Sequence, residues 1–551
     1  MNGMIRSVLF SMLIATSIVA HGQNTVGLLS YDDELTAEGY TLIYPFSQPN
    51  VYLLNNCGEV VHQWNDDPQF TPGNSAYLLE NSNLLKTKKA RLDTSATLSS
   101  GGEGGTVEIR NWDNDLLWSY TLNNDSMRLH HDIEAMPNGN ILMVAWELKT
   151  REEAIALGRD SNSVDQTLWP DVVFEVDPDL DSIVWIWRAW DHLVQDRDSS
   201  LTNFGVVSAH PELINVNFDD NRDPDWMHIN AIDYHQGLDQ IMLCVSFFNE
   251  IWIIDHSTTT EEARGHQGGP SNKGGDLLYR WGNPQSYGNG VPEDQLLFFP
   301  HNAHWIGALL DDTHPEFDKM AVFNNRIGIN FSAANVLNPP WNPANQRYDM
   351  TGVTWGPSTY AKTITHPNPS SLFSNGLSSV QFLGNKNLLL TSGRQGYLVE
   401  LTPENQVVWE YRIPLKNGIP VTQGDTVRNN ENLIFHSTKY PLTYPAFVRK
   451  PIGSRVWLEL NPDTLVCMLT TSTEDATPSN IQIYPNPSSD FFTLKIDARN
   501  KRHIVFSSQG KIMIEGWTDE NGHATIRTEH WPSGVYFVQT EDHQSAKIIV
   551  P

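Results

Sequence analysis

Positive charge, cysteine and long apolar runs are all scarce in this chain of 551 residues. Lys and Arg number 36 against 65 Asp and Glu, a net charge of -29, and a field of that sign repels phosphate backbones and anionic membrane surfaces. Nucleic acid is therefore not an expected partner, and an anionic substrate would need a local positive pocket to offset the field. Cys57, Cys244 and Cys467 are too few and too far apart for a metal-ligand cluster or a disulfide framework, which leaves room for one bridge and one thiol. The one long apolar run, Val8 to Ala20, is shorter than the about 20 residues that span a bilayer. With Arg6 before it and Gly22 and Gln23 after it, it has the three-part layout of a secretory signal peptide cleaved near residues 20 to 23. No transmembrane segment is expected in the mature chain.

Helical periodicity is also hard to find between Thr25 and Cys467. Hairpin signals recur in its place, alternating apolar positions around Asn, Asp, Gly or Pro: VYLLNNCGEVVHQW (51 to 64), VEIRNWDNDLLWSY (107 to 120), VFEVDPDLDSIVWIW (173 to 187) and LVELTPENQVVWEY (398 to 411). A further strand is readable ahead of several of them, as in MPNGNILMVA, HQGLDQIMLCVS and LGNKNLLLTSG. Self-similar four-stranded units predict an all-β propeller of about six blades. The 18 tryptophans fit the spaces between blades. The segment from Phe331 to Thr363, rich in Pro and Gly, is expected to be a long insertion over one face.

After Cys467 the composition changes to a polar stretch, Thr470 to Ser479, without hydrophobic pattern. Short alternating runs then follow: IQIYPNP, FFTLKI, HIVFSSQGKIMIEG, ATIRT, WPSGVYFVQT and AKIIV, the pattern of a small β-sandwich. Their order resembles the type A C-terminal sorting domain of the type IX secretion system. The expected organisation is a signal peptide at 1–23, a propeller at 24–467, a linker at 468–479 and the sorting domain at 480–551.

Function in a propeller belongs at the central channel, where the innermost strands converge. Three successive units open on histidine there: His130 and His131 with Asp132 before IEAMPNGN, His228 in DWMHINAID, and His301 and His304 in FFPHNAHWI. Histidines around one channel can bind a metal, for which Asp132 is the only immediate carboxylate partner, or can join arginines in holding an oxyanion. Arg326 and Arg394 stand at strand ends suited to the second role.

The segment from DWMHINAIDYHQG to RWGNPQSYGNG, with FFPHNAHWI, VFNN and SSVQFLGNKNLLLTSGRQGYLVEL, resembles the arylsulfotransferase family of exported β-propellers, over about residues 39 to 450. That resemblance implies transfer of a sulfuryl group from a phenolic sulfate ester to a phenol through a histidine, with no nucleotide donor and no cofactor. Carried over by motif, His228 and His301 are the sulfate-binding histidines, and Arg326 lies near the sulfate-binding arginine. The family's covalently modified histidine belongs in the later inner strand, where SGRQGYLVEL offers Arg394 and Tyr397 and no histidine. Three possibilities follow: His131, His304 or His436 is the nucleophile, transfer is direct, or the channel binds sulfated ligands without turnover. The type IX machinery is the other partner the resemblances imply.

Overall fold

The computed structural model describes residues 24–68, 70–89, 98–219, 222–453, 456–464, 467, 481–488, 490–496, 501–507, 512–540 and 545–550. The signal-peptide segment and the linker fall outside them. The chain divides into two compact units, up to Thr470 and from Thr471 onward.

In the first unit the described residues form six sheets of four or five antiparallel strands. Their innermost strands are, in chain order, Pro72–Leu78, Met127–Ala135, Ile229–His235, Pro300–Trp305, Ser379–Phe382 and Ile434–Pro441. Each of these strands touches the next, and the last touches the first, so the sheets close into a ring. A sheet in such a ring packs on both faces, which removes the need for alternation in its middle strands. Gln240–Val245 and Glu250–Asp255, QIMLCV and EIWIID, are accordingly buried at every position. The four hairpins expected from sequence are the third and fourth strands, counted outward from the channel, of four different sheets, among them Val51–Leu54 with Glu59–Trp64 and Asp171–Asp177 with Ser182–Arg188.

Large indoles fill the spaces between sheets. Trp64, Trp146, Trp187, Trp226, Trp252 and Trp409 are all buried, and each indole N–H has an acceptor, such as Asp225 for Trp146 and the Gly275 carbonyl for Trp187. Truncating one such side chain to alanine costs about 3–5 kcal/mol.

Polar stitches join one inner strand to the next. Asp132 accepts from the Ile232 N–H, Asp233 from Trp305 and Asn302 from Val380, at 3.4, 2.6 and 2.9 Å. Asp132 also accepts from Ser75 and Tyr77. Its carboxylate is thus spent on joining three strands rather than serving as a metal partner of His131.

The ring is shut by both ends of the unit. Gly39–Pro45 pairs with the last inner strand, Ile434–Pro441, and Gly27–Tyr31 adds an outermost strand beside Val407–Arg412. Cys57 and Cys467 are bridged across a separation of 410 residues, and Cys244 is the buried free thiol. Cross-links over long loops restrict the unfolded chain most, typically by 2–4 kcal/mol. Reduction, or Cys57→Ser, should therefore lower the melting temperature in calorimetry while leaving the far-ultraviolet spectrum of the folded state unchanged.

One expectation needs correction. Phe331–Leu337 is not part of an insertion but the third strand of the fourth sheet, paired with Met320–Gly328. Its mostly small residues, SAANVL, fit between packed neighbours, with the buried Ser332 and Asn335 hydrogen-bonded to Asn325 and Thr363. The excursion occupies residues 338–361, built around two short hairpins, and Lys362–Ile364 returns as the outer strand.

The second unit has a three-stranded sheet, Gln482–Tyr484, Phe491–Lys495 and His523–Arg527, and a four-stranded one that ends on Ser545–Val550. Phe492, Leu494, Val505, Ile526, Val538 and Ile548 from both sheets form one core. The final KIIV motif lies in the edge strand beside Gly534–Thr540, where Ile548 and Val550 are the buried members. Among the described residues of either unit, no helix is long and apolar enough to cross a membrane.

Candidate functional site

At the head of three inner strands the backbone turns through a left-handed residue: His131 at φ 51°, His228 at φ 56° and Asn302 at φ 51°. Positive φ disfavours side chains other than glycine by about 1–2 kcal/mol. Its recurrence at equivalent points of neighbouring sheets indicates a geometry kept for the site. The irregular step at these strand heads brings His131 and His228 together, ring centroids 4.5 Å apart.

Behind His131 runs a chain of buried partners. The Asp171 carboxylate can only accept, so His130 gives it an Nε2–H at 2.7 Å. His130 Nδ1 is then an acceptor, and it faces His131 Nδ1 at 2.8 Å. With the His131 proton drawn to Nδ1, the lone pair is left on Nε2. Burial, and then the positive charge of the neighbouring His228, hold His131 well below the usual histidine range, so the ring is neutral.

His228 is handled in the opposite way. Its Nδ1 lies 2.6 Å from Asp225, which Trp146 fixes from the other side. Burial opposes the charged form of His228, but the Asp225 carboxylate outweighs it and raises the pKa above 6.5. Two adjacent imidazoles thus have their pKa values driven apart, the division of labour that acid and base roles require.

Around this pair stand three phenylalanines and two arginines. Phe247 stacks on His228 at 4.5 Å, Phe435 lies 6.0 Å from His131 and 6.4 Å from His301, and Phe299 packs against Phe247 and His301. The Arg326 guanidinium sits 3.8 Å over the Phe299 ring and donates to the Asn375 carbonyl. Arg394 bonds Asn430 through one nitrogen, while its buried Nε has no protein partner among the described residues. This is the local positive pocket that an anion would need on so acidic a chain.

His301 belongs to the cluster, but both of its nitrogens are occupied. Nδ1 donates to Asn325 at 2.9 Å and Nε2 accepts from the Leu377 N–H at 3.1 Å. Burial, followed by the charge of His228, pushes it down to about 3. His301 would offer an N–H to a sulfate oxygen only by giving up the Nδ1–H bond to Asn325, or by gaining a proton on Nε2 in place of the Leu377 contact.

His304 and His436 are elsewhere. Both line a cavity of about 790 Å³ that also takes in Asp132, Glu134 and Asp233, toward the other ends of the inner strands. His436 stacks on Tyr77 and burial holds it down to about 4. His304 donates from Nδ1 to the Asn302 carbonyl. Of the six histidine and arginine candidates, the structure groups His131, His228, His301 and Arg326 and sets the other two apart.

Several participants had no signal strong enough to single them out in sequence. Asp171 sits in a different strand from the His130–His131 pair it orients, so no spacing reveals it, whereas Asp225 stands three residues before His228 within DWMH, where only its place in the motif marked it. Phe247 and Phe299 were visible only as members of doublets, in SFFNE and FFPHN, and Phe435 only as the neighbour of His436 in LIFHS.

Residues 47–434 match the family model described as Arylsulfotransferase (ASST). Residues 482–551 match a Secretion system C-terminal sorting domain, which marks the protein for export across the outer membrane, to the cell surface or beyond. No curated protein matches the chain significantly. Among solved structures, a protein of unknown function from Bacteroides caccae is 10% identical, with 73% of this chain and 99% of that one covered, at a TM-score of 0.40. Virginiamycin B lyase from Staphylococcus aureus is 12% identical over 71% and 89% of the two chains at 0.30, and AztD from Citrobacter koseri 9% identical over 73% and 99% at 0.31. Likenesses this weak say nothing about chemistry. The match over most of the chain does: this protein belongs to the arylsulfotransferase family and is a sulfotransferase-like enzyme carried on an exported β-propeller.

Proposed function

We propose that the protein moves a sulfuryl group from a phenolic sulfate ester to a phenolic acceptor by way of His131. The observation that carries this reading is the Asp171–His130–His131 chain, which leaves a lone pair on His131 Nε2 beside the cationic His228.

In the first half, the lone pair on His131 Nε2 attacks sulfur and the bond from sulfur to the aryl oxygen breaks. The bonding electrons leave with that oxygen, which takes a proton from His228 Nε2. Positive charge on the sulfated imidazole is eased through its Nδ1–H, toward His130 and Asp171. In the second half, the acceptor phenol returns a proton to His228 as its oxygen attacks sulfur, and the N–S bond breaks. No proton is gained or lost overall. Arg326 and Arg394 hold sulfate oxygens, and Phe247, Phe299 and Phe435 supply the apolar wall for the ring.

His131, His228 and His301 are only 3%, 7% and 2% exposed. The Gly101–Gly102 segment lies against them, and a Cβ at Gly102 would collide with the His131 ring. That segment must lift for the donor to reach Nε2. A noncatalytic propeller that captures sulfated ligands would also show a closed site. The two readings part on one assay: with a chromogenic aryl sulfate and a phenol, only the enzyme releases the coloured phenol and forms a sulfated acceptor. Sulfated acceptor formed without dependence on His131 would refute this route.

The pH profile follows from the two opposed shifts. Activity needs His131 neutral and His228 protonated, so the rising limb lies well below pH 6.5 and the falling limb above it. Asp225→Asn removes the charge that raises His228, so the falling limb of kcat/KM should move to lower pH while the rising limb stays. A falling limb unmoved by Asp225→Asn would remove His228 from the acid role.

A further inference from the structure

Away from the channel, the outer loops of the second and third sheets bring His192, His266 and Asp276 together, with their ligand atoms all within 4.8 Å of one another. His192 follows the outermost strand of the second sheet, Ser182–Arg188, and His266 and Asp276 precede that of the third, Tyr279–Trp281. His192 Nδ1 and His266 Nδ1 both point at one oxygen, Asp276 Oδ1, from 2.9 and 2.7 Å.

The second nitrogen of His192 makes this arrangement informative. His192 Nε2 lies 2.9 Å from the Ala263 carbonyl oxygen, which can only accept, so Nε2 must carry a hydrogen. A neutral imidazole with its hydrogen there presents a bare lone pair to the carboxylate, and the 2.9 Å contact is then repulsive. Moving the hydrogen to Nδ1 only transfers the repulsion to the carbonyl. A second proton on the ring, or a metal ion shared by Nδ1 and the carboxylate, resolves both contacts at once. A histidine ligand whose other ring nitrogen donates to a backbone carbonyl is the usual way a metal-binding imidazole is oriented.

The loop is shaped to hold the three groups there. Gly268, Gly269 and Gly274 take positive φ at 113°, 66° and 56°, and a Cβ at Gly275 would collide with the Ala263 carbonyl and the His192 ring. Trp187 clamps the Gly275 carbonyl at 2.7 Å. His192 and Asp276 are buried, whereas the His266 side chain is 58% exposed, which leaves one side open to water.

We infer that His192 Nδ1, His266 Nδ1 and Asp276 bind a divalent transition-metal ion of the zinc type, with solvent completing its shell, and that the ion pins the glycine-rich loop to the propeller. Ligand atoms about 2.0–2.2 Å from zinc in tetrahedral positions stand ~3.4 Å apart. The two nitrogen–oxygen spacings, 2.9 and 2.7 Å, open to that with shifts of about 0.5 and 0.7 Å, and the exposed His266 is the ligand free to move. Two imidazoles and one carboxylate suit zinc, copper or nickel over calcium or magnesium.

The test uses the full-length protein, stripped with chelator and dialysed against zinc ion alone. Wild type should take up one equivalent that the His266→Ala variant binds at least about tenfold more weakly, and zinc should raise the melting temperature of wild type only. His266 is exposed, so its loss opens no core. Cobalt ion should give the visible bands of a low-symmetry nitrogen and oxygen site, lost in His266→Ala and in Asp276→Asn. Uptake equal in wild type and His266→Ala, or a cobalt spectrum like that of the hydrated ion, would overturn the site and favour a carboxylate that simply accepts from two imidazole N–H groups.

Discussion

Replacing His131 with alanine should reduce sulfuryl transfer on the order of 10⁴-fold or more, while the aryl sulfate still binds. The effect is large because nothing nearby can substitute. His301 has both nitrogens committed to Asn325 and Leu377. His304 and His436 line the cavity at the other ends of the inner strands. His228 is bound to Asp225, whose charge raises its pKa and favours the protonated, donating form over a free lone pair. The donor's binding residues, Arg326 and Arg394 with the phenylalanines, are untouched by the substitution, so the loss should fall on kcat rather than on the affinity for an unreactive sulfate ester. Steady-state rates with a chromogenic donor, beside equilibrium binding of that ester, make the distinction. A loss of only a few fold would mean that transfer does not pass through His131.

His228→Ala should cost about 10²–10³-fold in transfer rate, about 3–4 kcal/mol, the usual worth of one donor aimed at developing charge. It should also destabilise the protein. Asp225 is fully buried and would lose the partner that neutralises it, and stranding one member of a buried pair costs about 3–5 kcal/mol. Asp225→Asn is the informative companion, because the amide keeps the shape, can still accept from Trp146, and removes the buried charge. If the rate loss of His228→Ala came from unfolding alone, Asp225→Asn would leave the pH profile as it was. A shift of the falling limb to lower pH assigns the loss to chemistry.

The repeat was readable because strand periodicity and turn residues are local. Asn55 bonds Glu59 and the backbone of Cys57 within one hairpin, and similar punctuation marks its counterparts. Ring closure was not readable in the same way, since Gly39–Pro45 finds Ile434–Pro441 across nearly the whole unit. Within the site, His131, His228 and His301 announced themselves by standing at or one residue from the same point of three successive repeats. What the repeat could not tell was which of them was free to act. That depends on the second nitrogen of each ring, and those partners come from distant strands: Asp171 for the His130–His131 chain, Leu377 for His301, Ala263 for His192. The extent of the Phe331 to Thr363 insertion was overdrawn because Pro and Gly beyond Leu337 masked a strand of small residues, whose burial between sheets needs no alternation.

The same dependence on second partners explains why the absent histidine of SGRQGYLVEL need not end the chemistry. Arg394 in that segment bonds Asn430 and leaves Nε unpaired by protein among the described residues, a donor suited to an oxyanion. In the proposed route the nucleophile's place is supplied from the second sheet, by His131, whose proton is drawn away from its reactive nitrogen.

The most direct measurement is rapid quench of the full-length enzyme with an aryl sulfate in the absence of acceptor, followed by proteolysis under alkaline conditions and mass spectrometry of the histidine peptides. The sulfuryl group should be found on the peptide containing His131, appear within one turnover, and vanish when a phenol is added. It should be missing from His131→Ala. A sulfated peptide containing His304 or His436 in its place, or rapid transfer to phenol with no modified histidine in the wild type, would contradict the route through His131.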